Sequence, residues 1–524
     1  MNKAVSFALA GLLSAFCAVA DAKTVIIYHT SDVHGWYTSR EVKYDNGKST
    51  RAVGGFAALS AAAKKEKSPV LFMDSGDWFQ GTPEGNMTRG MATITMMNKL
   101  GYSASSLGNH EYDFGEDNLK TILSSAKFQI VDSNIRLKDG GDLVSYTKPY
   151  AVVEVDGLKI GVVGAITPET RTSVMPTYVK HIDFTSPAVE ISKSLPELKK
   201  KGVNAVVALV HDGAAPGNFR LDGSKWTPSK KDTDEGNIAI ARAAGKGELA
   251  VVFGGHAHTT INPPYTDPET GTMFVESGSN LYGASRVELT FDDKTGKLTG
   301  VSDRFVELWI DETGEDKEVL AAFKPIAEAV GVEMNKRIGE TSGDLWRYKK
   351  DGTDLDSPLG NYIADVMLAT GKADIAIHNT HGIRADIPAG VITNRSVYQA
   401  LPFENTLVNV ELTGGQILDL VREGLRPDSS VLQVSGIEVK FSVDDKGAVS
   451  DVSISFGGKP LEMEKVYRVA TNNYLAAGGS GGRVFKFGKN LQDTMLSIRD
   501  AVVNDISVRK TLAPLPTGRI ARKK

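Results

Sequence analysis

The sequence predicts an α/β domain over residues 23–312, a connecting helix over 313–340 and a mixed α and β domain over 341–524, behind an N-terminal signal peptide at 1–22. Three observations carry this. From Lys23 to about Asp311, apolar runs of strand length alternate with helix-like stretches, as in a sheet buried between helices. Between Glu315 and Glu340, the residues Val319, Leu320, Phe323, Ile326, Ala327 and Val330 repeat on one helical face, with Glu and Lys elsewhere. From Thr341 onward, strand and helix patterns mix, with Gly-rich loops at 379–385 and 476–483.

In chain order, Lys3 gives a short basic start and residues 4–13 an apolar stretch. Ala18-Val19-Ala20 or Ala20-Asp21-Ala22 then supplies a small-x-small cleavage site. Phe16 before Cys17 is too bulky for a lipidation signal, so a periplasmic or secreted protein is expected, with no stable membrane insertion. Cys17 is the only cysteine, which leaves the mature chain without disulfides or thiolate metal ligands and suits an oxidising compartment. Residues 55–65, 91–100, 117–126 and 189–201 read as helices. Pro325 should kink the connecting helix and Gly339 should help end it. In the second domain, 359–370 reads as a helix and 375–377, 406–410, 436–443 and 466–471 as strands, with another helix opening at 412–416.

The 524 residues suggest roughly three structural units. With 41% hydrophobic and 24% charged residues, the composition is that of a globular protein. The net charge is −4 and no basic patch stands out, which argues against a nucleic-acid duplex as the main partner. A small-molecule partner and a monomer or dimer fit better.

Five apolar runs stop abruptly at Asp, His, Asn or Gly. They lead into Asp32 and His34, into Asp74 and Asp77, into Gly108-Asn109-His110-Glu111-Tyr112-Asp113, into His211-Asp212, and into Gly254-Gly255-His256-Ala257-His258. In buried sheets, ligands gather beyond the carboxyl ends of the strands, so these clusters are expected together at one sheet edge. Mixed carboxylate, amide and imidazole donors suit a borderline divalent metal such as zinc, manganese or cobalt. Asp32, His34, Asp77, Asn109, His211, His256 and His258 exceed what one tetrahedral site needs and would serve two metals sharing a bridging carboxylate. Such a pair can clamp a phosphate, lower the pKa of water and stabilise the attacking and leaving oxygens. Asp113 lies three residues after His110, where a helical turn would let it orient that imidazole. His29 and His181 read as structural and surface residues.

This pattern resembles the dinuclear metallophosphoesterase superfamily through Asp-x-His, Gly-Asp, Gly-Asn-His-Glu, His and Gly-His-x-His. More narrowly, it is similar to the secreted 5′-nucleotidase family, which includes periplasmic UDP-sugar hydrolases. That resemblance implies a calcineurin-like β-sandwich flanked by helices, then an α+β substrate-binding domain. It also implies that Asp32, His34 and His258 hold one metal, that Asn109, His211 and His256 hold the other, and that Asp77 bridges. His110 then contacts the phosphate and Asp113 orients it.

In the second domain, Asn379-Thr380-His381-Gly382-Ile383-Arg384, Leu401-Pro402-Phe403-Glu404-Asn405 and Thr471-Asn472-Asn473-Tyr474 match the family. The resemblance implies that Asn379 and Arg384 meet the substrate, beside Asn405, and that Phe403 and Tyr474 sandwich a nucleobase. The family commonly has Gly-Gly-Asp after the aromatic, where this chain has Gly478-Gly479-Ser480, so ribose recognition departs from the pattern. The expected activity is two-metal hydrolysis of nucleoside 5′-monophosphates, extending to nucleotide sugars. The rival readings are another ester specificity on the same fold (2′,3′-cyclic nucleotide or sulfur ester) and a non-catalytic nucleotide-binding surface protein.

Overall fold

The computed structural model describes residues 22–44, 49–139, 141–214, 226–347, 355–425, 432–444, 449–479 and 481–523. The leader apart from Ala22, and Ser480, lie outside the described residues. The first domain contains two six-stranded sheets where the apolar pattern alone suggested one. In the first, Ala22–Thr30 pairs in parallel with Val70–Asp74, and that strand in parallel with Tyr102–Ser105. On the other side Gly283–Asp292 pairs in antiparallel register with Ala22–Thr30, and Leu298–Glu307 lies beyond it at the edge. In the second, Ala205–His211 lies between Leu158–Ile166 and Val251–Gly254, parallel to both.

Ile27, Met73, Val207, Leu209 and Phe253 pack together in the layer between the sheets. Each such side chain contributes about 1.5–3 kcal/mol by leaving water. The helices Phe56–Ala63 and Met91–Leu100 cover the outer face of the first sheet, and Pro187–Lys200 and Asn237–Ala244 that of the second. The central strands of both sheets are therefore buried on both faces. Their strands read alike in sequence, which is why periodicity could not divide them.

The connecting helix spans Lys317–Met334 and runs unbroken through Pro325. Its start is fixed by Asp316, whose carboxylate caps Glu318 N–H and takes bonds from Ser60 and Lys64. Val319 and Phe323 join the first-domain core, while Val330 and Met334 pack on Tyr398 of the second domain. The helix ends at Asn335 rather than at Gly339, which lies inside the strand Arg337–Thr341. A Cβ on Gly339 would stand 2.7 Å from Ile506 and 2.9 Å from Lys510 O, so its place is set by close packing, not by helix termination.

The second domain is built on a five-stranded mixed sheet containing Ile375–Asn379, Thr406–Thr413 and Val466–Asn472. The helix Pro358–Gly371 packs on it.

Candidate metal centre and substrate cleft

All five polar clusters converge, three from the first sheet and two from the second. Asp32, His34, Asp77, His256 and His258 have φ of 51°, 49°, 61°, 70° and 58°. The left-handed region costs a non-glycine residue on the order of 1–3 kcal/mol, so the surrounding loops must enforce it. Their close packing shows at Gly108, where a Cβ would lie 2.2 Å from Asp77 Oδ1, and at Gly76, where one would lie 2.3 Å from Gly108 N.

The donors fall into two groups, Asp32–His34–His258 and Asp77–His211–His256. His34 Nε2 and His258 Nε2 lie 2.9 Å apart, and His258 Nε2 is 3.5 Å from Asp32 Oδ1. His211 Nε2 is 3.2 Å from both Asp77 Oδ2 and Asn109 Oδ1. The same Asp77 oxygen is 3.8 Å from His34 Nε2, between the groups.

Second partners set the tautomers. His34 Nδ1 donates to Gln80 O and His211 Nδ1 to Ser75 O, each at 2.6 Å, which leaves both Nε2 lone pairs facing inward. Burial, then Arg384, holds His34 well below its ordinary pKa, and burial does the same for His258. Neutral imidazole is the form that binds a cation. Burial alone would raise the Asp77 carboxyl, but His211, His110 and His34 hold it well below the usual range. Against its burial, the His211 pKa is raised to about 10 by Asp77. The neutral His34 and His258 and the ionised Asp77 thus fit divalent cations as they stand, and His211 fits once a cation displaces its proton.

His110 and Asp113 sit on the 3₁₀ turn Asn109–Tyr112 and the residue after it, with His110 Nδ1 donating to Asp113 Oδ2 at 2.7 Å. Burial would lower the His110 pKa, but Asp113 and Asp77 raise it above the ordinary value. Its backbone N–H donates to Asp77 Oδ1 at 2.9 Å. His29 is buried between Ser75 and Ser277, as a structural residue would be, and His181 pairs with Glu116 at the surface.

From the second domain, Arg384 Nη2 reaches 3.4 Å from His34 Nε2. Phe403 lies with its ring 5.7 Å from that of His110 and 5.9 Å from the Arg384 guanidinium carbon. Asn379 is buried and its Oδ1 accepts from Asn472. Asn405 supports its loop by accepting Ile498 N–H through its backbone. Tyr474 lies against the first domain, its hydroxyl donating to Thr172 O. A cleft of about 200 Å³ opens beside His34 and His258, lined also by Trp36, Gln80, Arg347 and Arg384.

Several residues escaped the sequence reading. Glu111 takes the backbone N–H groups of Asp77, Trp78 and Gly108 at 2.9, 2.7 and 2.6 Å, and burial with Asp77 nearby pushes its carboxyl up to about 8. It stands within Gly-Asn-His-Glu, so the motif could have flagged it. Glu169 faces His256 at 3.6 Å, and Arg499 cradles the carbonyls of Leu401, Pro402 and Phe403. Neither has a local signal.

The calcineurin-like phosphoesterase profile matches residues 26–260, and that of the 5′-nucleotidase C-terminal domain residues 337–487. A solved structure, the 5′-nucleotidase precursor from Thermus thermophilus, superposes with a TM-score of 0.81 at 30% identity, covering 95% of this chain and 99% of that one. The 5′-nucleotidase of Vibrio vulnificus (strain CMCP6) is 28% identical over 87% of this chain and 85% of its own length. The trifunctional nucleotide phosphoesterase protein YfkN of Bacillus subtilis (strain 168) is 31% identical over 82% of this chain. The chain spans only 31% of that protein and 38% of another Bacillus subtilis relative. Since both profiles fall in order on the two domains, and one solved relative matches across nearly its entire length, the chain belongs to the 5′-nucleotidase family of metallophosphoesterases.

Proposed function

We propose that this protein is a periplasmic 5′-nucleotidase, a two-metal hydrolase that releases phosphate from nucleoside 5′-monophosphates. The observation that supports it most is the meeting of Arg384 and Phe403 with the paired donor groups and the His110–Asp113 pair. Asp32, His34 and His258 would hold one cation, Asn109, His211 and His256 the other, and Asp77 both. Bound there, the cations lower the pKa of water and draw charge from the phosphoryl oxygens. Arg384 grips a phosphoryl oxygen through its fork of donors. His110, kept cationic by Asp113, faces charge developing on phosphorus and the leaving oxygen. Phe403 and Tyr474 hold the base, with Asn379 and Asn405 shaping their loops. The leader-like residues 1–22 support export, and among the described residues no helix is long and apolar enough to cross a membrane.

The test is a hydrolysis panel of AMP, UDP-glucose, 2′,3′-cyclic AMP and bis-nitrophenyl phosphate, with manganese, cobalt or zinc and after chelation. The expected result is the highest kcat/KM for AMP, activity lost to chelator and restored by metal. Full activity in metal-free protein, or none on any nucleotide with metal restored, overturns the reading.

A further inference from the structure

A chain of hydrogen bonds runs from the second domain into the catalytic pair. Asn86 and Gln80 are 2% and 3% exposed, and their hydrogen-bond partners assign the orientation of each amide. Asn86 Nδ2 spends its two hydrogens on Gln80 Oε1 and on Pro402 O, the latter at 2.7 Å, while its Oδ1 accepts Gly81 N–H at 3.2 Å. Gln80 Nε2 donates to Asp113 Oδ2 at 2.8 Å, the same oxygen that receives His110 Nδ1. The Gln80 carbonyl meanwhile accepts from His34. Pro402 immediately precedes Phe403, whose ring faces His110. Beside Asn86, Glu84 pairs with Arg395 of the second domain at 2.6 Å, so the short helix Pro83–Met87 is docked at two points.

We infer that Asn86 and Gln80 are positioning residues that couple seating of the Phe403 loop to the orientation of Asp113 and His110. The argument is one of donor count. Asp113 Oδ2 serves two donors, and Gln80 can offer its N–H there only while its own oxygen is turned to Asn86. Asn86 in turn satisfies Gln80 and the Pro402 carbonyl with one NH₂ group. When the Pro402 carbonyl leaves, Asn86 loses one of the two acceptors that fix its rotamer, and the registry of the chain loosens as far as His110. A nucleotide that draws the Phe403 loop home would thereby align the catalytic imidazole, and misalignments of about 1 Å in such sites cost roughly a hundredfold in rate. This rests on the 5′-nucleotidase reading above.

The experiment is a double-mutant cycle on the full chain with AMP. Asn86→Asp is nearly isosteric and keeps the acceptor for Gly81, but it cannot donate to Gln80 or Pro402. Flipping the Gln80 amide does not repair the break, since its oxygen would then face Asp113. We expect Asn86→Asp to keep the wild-type metal content and lower kcat about tenfold to a hundredfold. In an Asp113→Ala background the same substitution should change kcat within about twofold, because the route to His110 is already cut. Losses that multiply across the two substitutions, or no loss from Asn86→Asp alone, overturn the inference. If Asn86→Asp fails to accumulate, Gln80→Met enters the same cycle. A second readout is the downfield proton resonance of the His110 Nδ1–H bond, identified by its loss in Asp113→Ala. It should shift or broaden in Asn86→Asp, and an unchanged signal counts against the coupling. If the metal-loaded wild type cleaves no nucleoside monophosphate, the functional reading falls. If it does and the effects multiply, only the coupling falls.

Discussion

Asp77 faces His34 at 3.8 Å and His211 at 3.2 Å through the same oxygen, while its other oxygen takes the His110 N–H. Asp77→Asn removes the charge shared by both donor groups without changing the shape of the side chain. The expected outcome is loss of metal from both positions, read as metal per chain after dialysis. Two ions retained with unaltered affinity would contradict the bridging role. His110 is a different case, because it belongs to neither donor group and its Nδ1 is engaged by Asp113. His110→Ala should therefore keep both metals and lose roughly 10²–10⁴-fold in turnover. If metal content drops instead, His110 is a ligand. Asp77 was legible because it follows the apolar run Val70-Leu71-Phe72-Met73, and His110 because it stands in the Gly-Asn-His-Glu stretch with Asp113 three residues on. Asn86 and Gln80 were not legible, since Asn86 acts on a carbonyl 316 positions away and nothing around it in sequence announces that partner.

At the scale of elements, the edge strand Leu298–Glu307 carries an anomaly. Asp303 opposes Val287 of the inter-sheet core, and among the described residues its carboxylate takes no side-chain hydrogen bond, with only the backbone of Arg304 beside it. Burial raises its pKa from 3.8 to about 7. The folded state thus holds the proton more tightly than the unfolded chain. The stability this gives is complete below about pH 4 and lost as pH rises to about 7. Asp303→Asn stays neutral throughout, so its advantage over the wild type should grow with pH, reaching about 1–3 kcal/mol at pH 8 in urea unfolding. An advantage that is equal at pH 5 and pH 8 would mean that the carboxylate is solvated in both states. Neither this strand nor its partners were read from the sequence, since Leu298–Glu307 carries no continuous apolar run. The runs before Asp77 and before His211 read as the same kind of buried strand, and only long-range packing assigns them to different sheets. Gly339 shows the converse failure: a residue that commonly ends helices serves here to let Ile506 approach a strand.

At the scale of the molecule, the donors belong to the first domain, and Arg384, Phe403 and Tyr474 to the second. The domains meet through Glu84–Arg395, Asn86–Pro402 and Tyr474–Thr172, and one helix joins their cores. The cleft at His34 and His258 holds about 200 Å³, below the roughly 300–1,000 Å³ of ordinary ligand pockets. A nucleotide that touches both domains therefore needs them to part for entry and again for release. Glu84→Cys with Arg395→Cys allows this to be tested, because Cys17 is the only native cysteine and lies within the leader-like residues. A short, cleavable bis-thiol cross-linker across that pair should hold the domains together. The cross-linked protein is expected to keep its metals and lose steady-state turnover of AMP, and to regain it when the linker is cut. The uncross-linked double variant controls for loss of the ion pair, whose partners are 10% and 25% exposed and so matter to docking in their own right. Normal turnover in a fully cross-linked sample would show that substrate reaches the metals without domain motion, and would place its entry in the cleft as it stands.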